Sequence, residues 1–244
     1  MLSKKSLSLL TLTVASAGLT TLSAGSIALT SATDIAAAGA ATGVTEARVR
    51  NGRTGFEAAL YSAGTKVVDR NFPGGSSSGG ALITGDWRKF EVSYSVLTGE
   101  LTLKVDANDD GSFGLVNTTS ETLTYDFGTD GYSFQYIDLF YRGTAGKDAK
   151  IKDLVVDGTS QGPYDSNGAN YTHAYFGRQG GGYFGDLLIT GEFDFTGSQS
   201  DEVPSFGFVF RNKGVPTPTP DTGSTLVLLG SALATALLWR RQAR

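Results

Sequence analysis

Trp87-Arg88-Lys89-Phe90-Glu91-Val92-Ser93-Tyr94-Ser95-Val96 carries Phe90, Val92, Tyr94 and Val96 at every second position. Side chains two apart on an extended chain share a face, so this run predicts a half-buried strand. Leu97-Thr98-Gly99-Glu100 supplies a turn, and Leu101, Leu103 and Val105 resume the alternation as the second arm of a hairpin. Outward from this hairpin, similar strands are expected at Leu123 to Phe127, Phe134 to Tyr141, Ile151 to Val156, Leu187 to Phe195 and Phe206 to Phe210. On the N-terminal side they are expected near Ala47 to Arg50, Phe56 to Tyr61 and Lys66 to Asn71. No helical period of useful length intervenes. About ten short strands in this length predict an all-β, jelly-roll-like two-sheet sandwich with inner faces rich in Phe, Tyr, Leu and Val.

The 244 residues include 33 Gly and no Cys, so the predicted core holds by burial without disulfides. Between Val44 and Gly214 there are 15 Lys or Arg against 22 Asp or Glu, a net of −7. An acidic domain of this kind argues against a nucleic-acid partner. Its length is that of one domain, large enough to bury most of its apolar surface.

Both ends read as targeting segments. Lys4 and Lys5 precede a Leu/Ser/Thr/Ala stretch from Leu7 to about Leu22, with small residues at Ala24 and Ala28 offering cleavage positions. This is the three-part pattern of a signal peptide, assigned to residues 1–28. Residues 29–43 are Ala, Ser, Thr and Gly without periodicity and are expected to be a flexible spacer before the sandwich domain, 44–213. Gly214-Val215-Pro216-Thr217-Pro218-Thr219-Pro220 reads as an extended stalk, because Pro fixes φ and favours polyproline II. Residues 221–244 form the C-terminal signal. Its apolar run from Thr225 to Trp239 makes a short transmembrane helix of roughly 22 Å against a hydrocarbon core of about 30 Å. Arg240, Arg241 and Arg244 are expected to stay on the cytoplasmic side. A plain tail anchor is the simpler alternative for the same segment.

The run Pro220-Asp221-Thr222-Gly223-Ser224-Thr225-Leu226, followed by a Leu/Ala/Gly helix and an Arg pair, resembles the PEP-CTERM class of sorting domains, closest to its V-P-D-S-G-like variant. Thr219 stands where that variant has Val. The resemblance implies an exported protein, membrane-anchored before processing, with Pro220, Asp221, Thr222 and Gly223 as the motif cut by an exosortase-like membrane protease. Delivery to the cell surface, extracellular matrix or exopolysaccharide would follow. Thr219-Pro220-Asp221-Thr222-Gly223 is also similar to the L-P-x-T-G sortase signal with its Leu replaced, which keeps a wall-anchored protein as an alternative.

Within the sandwich, the hairpin at 87–106 followed by Ile151-Lys152-Asp153-Leu154-Val155-Val156-Asp157-Gly158 is similar to laminin-G and concanavalin-like domains. With Glu46-Ala47-Arg48, Gly191-Glu192-Phe193-Asp194-Phe195 and Phe206-Gly207-Phe208, residues 44–211 resemble the choice-of-anchor W family of extracellular domains. That family implies fold and location and no activity, so the expected product is a non-enzymatic surface or matrix protein.

Four segments are candidate sites. Asp106-Ala107-Asn108-Asp109-Asp110-Gly111 fits the opening of a calcium loop, with Asp106, Asn108 and Asp110 as ligands of a structural calcium. Position twelve is Asn117 instead of the bidentate Glu, and such clusters also make ordinary turns. Tyr171, Tyr175, Arg178 and Tyr183, around the single histidine His173, read as a glycine-rich loop whose rings and guanidinium could hold an extracellular polysaccharide. A carbohydrate-binding module is thus an alternative function. Glu192-Phe193-Asp194 resembles the paired-carboxylate strand of a group of concanavalin-fold glycoside hydrolases, but Gly197 occupies the third acidic position and one catalytic role is empty. Solvent-facing acids alternating with inward Phe explain the pattern without catalysis. Gly143-Thr144-Ala145-Gly146-Lys147 is too short for a phosphate loop and reads as a turn.

Overall fold

The computed structural model describes residues 27–29, 31–51, 55–73, 87–116, 119–127, 134–178, 181–196 and 203–212. Among these, one helix, α1 (Ala32–Ala40), precedes β1 (Thr42–Asn51), β2 (Gly55–Ser62) and β3 (Thr65–Pro73). The hairpin read from the sequence is β4 (Arg88–Tyr94) with β5 (Glu100–Val105), followed by the short β6 (Leu115–Val116) and β7 (Thr119–Ser120), then β8 (Thr122–Asp126). Next come β9 (Tyr136–Arg142), β10 (Ala149–Val156), β11 (Thr159–Ser160) and β12 (Tyr164–Asp165). The last three are β13 (Thr172–Gly177), β14 (Leu187–Phe195) and β15 (Ser205–Asn212).

Two antiparallel sheets stack face to face. The first runs β13-β9-β15-β1-β2-β3; the second runs β11-β10-β14-β4-β5-β8, with β12 also on β10. A small β6–β7 ribbon stands apart. The inner faces are those the alternation predicts: Phe90, Val92 and Tyr94 of β4 and Leu101, Leu103 and Val105 of β5 are buried. Rings from the two sheets meet across the interior, Phe90 with Phe206 at 5.2 Å, Phe193 with Phe206 at 5.2 Å and Phe56 with Phe193 at 5.6 Å. A buried Phe contributes roughly 1.5–3 kcal/mol relative to exposure. Phe56, Phe90, Phe193, Phe206, Phe208 and Phe210 are all at most 2% exposed, which is how a cysteine-free sandwich holds.

The turn after β4 forms as expected. Gly99 adopts φ 71° and donates to the Ser95 carbonyl at 2.8 Å, a conformation favouring glycine. Gly143 to Lys147 is likewise a turn, closed by reciprocal backbone bonds between Thr144 and Lys147 of 2.9 and 2.8 Å.

The N-terminal segment departs from expectation. Residues 29–43 are not a flexible spacer: α1 occupies most of it and β1 begins at Thr42. Alanine pays no side-chain entropy in a helix, and Ser31 caps α1 by accepting from the Asp34 N–H at 3.0 Å. Ala38 and Ala41 are buried against Tyr136, and Tyr175 packs on the same cluster. Ile27, inside the expected leader, is 2% exposed in the main core; it bridges Arg178, and its carbonyl accepts from Gln161 Nε2 at 3.3 Å. The domain therefore starts no later than Ile27. No helix of the described residues is long and apolar enough to cross a membrane. The expected helix 225–239, the sorting motif at Pro220 to Gly223 and Arg240, Arg241 and Arg244 lie outside the described residues.

Candidate functional site

On the outer face of the second sheet, a groove of 270 Å³ crosses β14 and β4, with Phe113 and Asp153 at its two ends and Thr190 and Gly191 in its floor. Lys89, Phe90, Glu91 and Glu192 complete its lining. Each part has a local cause. Phe113 sits on the loop between β5 and β6, which two buried carboxylates clamp. Glu121, fully buried, accepts from the N–H groups of Ala107 and Gly114, while Asp106, 1% exposed, accepts from those of Asp110 at 3.2 Å and Gly111 at 2.9 Å. The Asp106 N–H in turn donates to the Lys89 carbonyl at 3.0 Å, tying the loop to the groove wall.

Asp153 reaches the groove through a bulge. The pairing of β10 with β14 shifts register between Lys152 and Val155, and Asp153 there adopts φ 50°. A bulge inserts an extra residue and redirects its side chain, and Asp is among the residues that tolerate this left-handed conformation. The acids nearer the centre are held by lysines: Lys104 Nζ lies 2.7 Å from Glu91 Oε1, and Lys152 Nζ 3.0 Å from Glu192 Oε2 and 4.5 Å from the Trp87 ring centroid. Among the described residues, neither Asp153 nor Lys89 has an ion-pair partner.

The expected calcium ligands are placed in this clamped loop. Both Asp106 oxygens face backbone N–H groups, Asn108 Nδ2 donates to Asp110 Oδ2 at 2.8 Å, and the Ser112 N–H and hydroxyl donate to Asp110 Oδ1. Burial pushes the Asp106 carboxyl above the ordinary aspartate range, against the pull of the Gly111, Asp110 and Asp109 amides. The Ser112 hydroxyl and Asn108 amide hold Asp110 below it. No group of three or more His, Cys, Asp or Glu placed to hold a metal occurs among the described residues.

Tyr171, Tyr175, Arg178 and Tyr183 do not form one loop site. Residues 172–177 are a strand, β13. Tyr171, His173 and Tyr175 alternate along one side of it, with near-parallel rings 6.3 and 5.9 Å apart. Arg178 instead pairs with Asp157, beyond the end of β10, and lies over Phe184 at 5.1 Å. Tyr183 stands exposed in the following segment. Behind His173 is a feature the sequence reading missed: Asp138 of β9, 0% exposed, meets His173 Nδ1 at 2.8 Å and receives Arg211 Nε at 2.9 Å and Nη2 at 2.6 Å. Arg211 Nη1 also donates to the Ala41 carbonyl at 2.8 Å, joining the cluster to the segment after α1.

Glu192 and Asp194 are not a matched solvent-facing pair. Glu192 is half-buried in the groove, whereas Asp194 is 2% exposed. Phe113, Lys89, Glu91 and Asp153 went unread as a site because they come from different strands and one loop. The bulge did leave a trace: buried Ile151, Leu154 and Val156 break the strict two-residue period at Asp153. No protein-family model matches the chain, and no curated protein sequence matches it.

Proposed function

We propose that this chain is an exported, non-enzymatic cell-surface or matrix protein, delivered through a PEP-CTERM-like C-terminal signal that an exosortase-like membrane protease processes. The observation that carries the reading is the order Pro220-Asp221-Thr222-Gly223, apolar run, Arg240-Arg241 after a Pro/Thr stalk. The described strands of the sandwich, Thr42 to Asn212, lie between the two targeting segments and end two residues before the stalk. A jelly-roll-like arrangement of the laminin-G type is the finer reading of the two sheets. Gly197 at the third acidic position of the strand motif leaves one catalytic role empty, which favours display over glycoside hydrolysis.

The test is the intact mass of the native protein from cell envelope and medium, beside a Pro220→Ala/Asp221→Ala variant. Loss of both ends, with the C-terminal loss abolished in the variant, is the expected result. A mature chain still carrying Trp239 to Arg244 would make the tail a plain membrane anchor and end the exosortase reading.

A further inference from the structure

We propose that the groove between Phe113 and Asp153 binds a hexopyranose unit of a neutral polysaccharide. The inference goes beyond delivery, because binding is a property of the folded sandwich whatever sorts the chain. It also moves the expected sugar site from the β13 tyrosines on the first sheet to the outer face of the second.

Three observations carry it. First, the 270 Å³ groove is small for a drug-like ligand, which takes about 300–1,000 Å³, and suits a single sugar ring. Second, its aromatic wall is preorganised. Phe113 is half-buried on a loop fixed by Glu121 and Asp106, so stacking a sugar's C–H face on it costs little ordering. Third, the polar groups match hydroxyls. A hydroxyl both donates and accepts, and here Asp153 is an acceptor and Lys89 a donor, neither engaged in an ion pair among the described residues. Glu91 and Glu192 are fixed by Lys104 and Lys152 but keep further acceptor capacity.

Charge selects the class. The lining holds Glu91, Asp153 and Glu192 against Lys89, and Lys104 and Lys152 are already committed to Glu91 and Glu192. A uronate or sulfated sugar would bring a further negative charge beside these carboxylates, whereas a neutral ring adds only hydroxyls. The left-handed Asp153 supports the same reading, since a residue held in an uncommon backbone conformation is a pointer to function when it faces a groove.

The experiment is affinity electrophoresis of the full chain, in a non-glycosidic detergent, through native gels containing laminarin, mannan, dextran or polygalacturonate. At least one neutral polysaccharide should retard the protein while polygalacturonate does not. Phe113→Ala and Asp153→Asn should each weaken retardation about tenfold, the loss of one stacking or charge-assisted contact. Tyr171→Ala should leave it unchanged. Asn tolerates the left-handed backbone, so Asp153→Asn decides the matter even if Phe113→Ala fails to fold. Absence of retardation by all three neutral polymers, equal retardation of wild type and Asp153→Asn, or equally strong retardation by polygalacturonate would each overturn the proposal. Because the readout is independent of chain processing, its failure leaves the sorting proposal standing, and the reverse.

Discussion

Asp138 Oδ1 and His173 Nδ1 lie 2.8 Å apart on the neighbouring strands β9 and β13, with the carboxylate fully buried and the imidazole side chain 38% exposed. A carboxylate only accepts, so Nδ1 carries the hydrogen and the ring's tautomer is set by the fold. Arg211 closes the other side of the carboxylate with two bonds, which makes a β9–β13–β15 clasp on the outer face of the first sheet. Tyr175 stands beside it: burial first, then the Asp138 charge, pushes its phenol upward, while Arg211 pulls the other way.

Removing the two partners should have unequal effects. Asp138→Ala strands a mostly buried Arg211 guanidinium, and we expect a loss of about 3 kcal/mol, the lower end for breaking a buried pair because Arg211 remains 19% exposed. His173→Ala deletes a partly exposed ring and should cost about 1 kcal/mol. Urea unfolding of the two variants checks the order; equal midpoints would show that Asp138 does not depend on its burial between His173 and Arg211.

Gly207→Ala should destabilise the first sheet. A Cβ there would come within 2.7 Å of the Phe140 ring and 2.8 Å of the Ala47 carbonyl oxygen, and the second neighbour is backbone that cannot swing aside. Overpacking of this sort costs about 1–3 kcal/mol, which a thermal melt would read as a lowered Tm. An unchanged Tm would mean that the Phe140 ring does not lie over Gly207.

Strands β4, β5, β14 and β15 were legible because their inward residues keep a period of two that survives any detail of packing, and β10 because its apolar residues stay dense across the bulge at Asp153. Strand β13 was not: glycines follow it, and Tyr171, His173 and Tyr175 on one side face the same aromatic-rich pattern as Phe176 on the other, so neither face reads as apolar. Helix α1 escaped because its buried surface is alanine, too small to mark a face, although Ser31 and Asp34 had the spacing of an N-cap. The site was least legible of all. Glu91, Thr190 and Asp153 meet only because β4, β14 and β10 are neighbours in the second sheet, a long-range pairing that no local pattern states.

The burial of Ile27 bears on leader cleavage. A cut after Ala28 would discard a side chain that is 2% exposed in the core, whereas a cut after Ala24 retains it. Ile27→Ala should cost about 2–5 kcal/mol if that packing is intact. N-terminal sequencing of the exported protein should place its first residue at or before Ile27, at Gly25 for cleavage after Ala24. A mature chain beginning at Leu29 would show that Ile27 is not part of the working fold.

The clamped loop should make stability depend on pH in a recognisable direction. Asp106 has a raised folded-state pKa, so the fold binds its proton more tightly than the unfolded chain does. Its contribution is fully present below the ordinary aspartate value of 3.8 and is lost as pH rises through the raised one. Asp110 has the opposite sign: its lowered pKa gives a contribution present above 3.8 and lost as pH falls through the lowered value. Asp106→Asn removes only the first, while its amide oxygen can still accept one of the two backbone bonds. The native protein should therefore gain stability relative to Asp106→Asn as pH falls from neutrality towards 4. Urea midpoints of both chains at several pH values measure that gap; a gap independent of pH would mean that Asp106 is solvated, and one that widens in favour of the native chain towards neutral pH would mean that the amide bonds to Asp106 outweigh its burial.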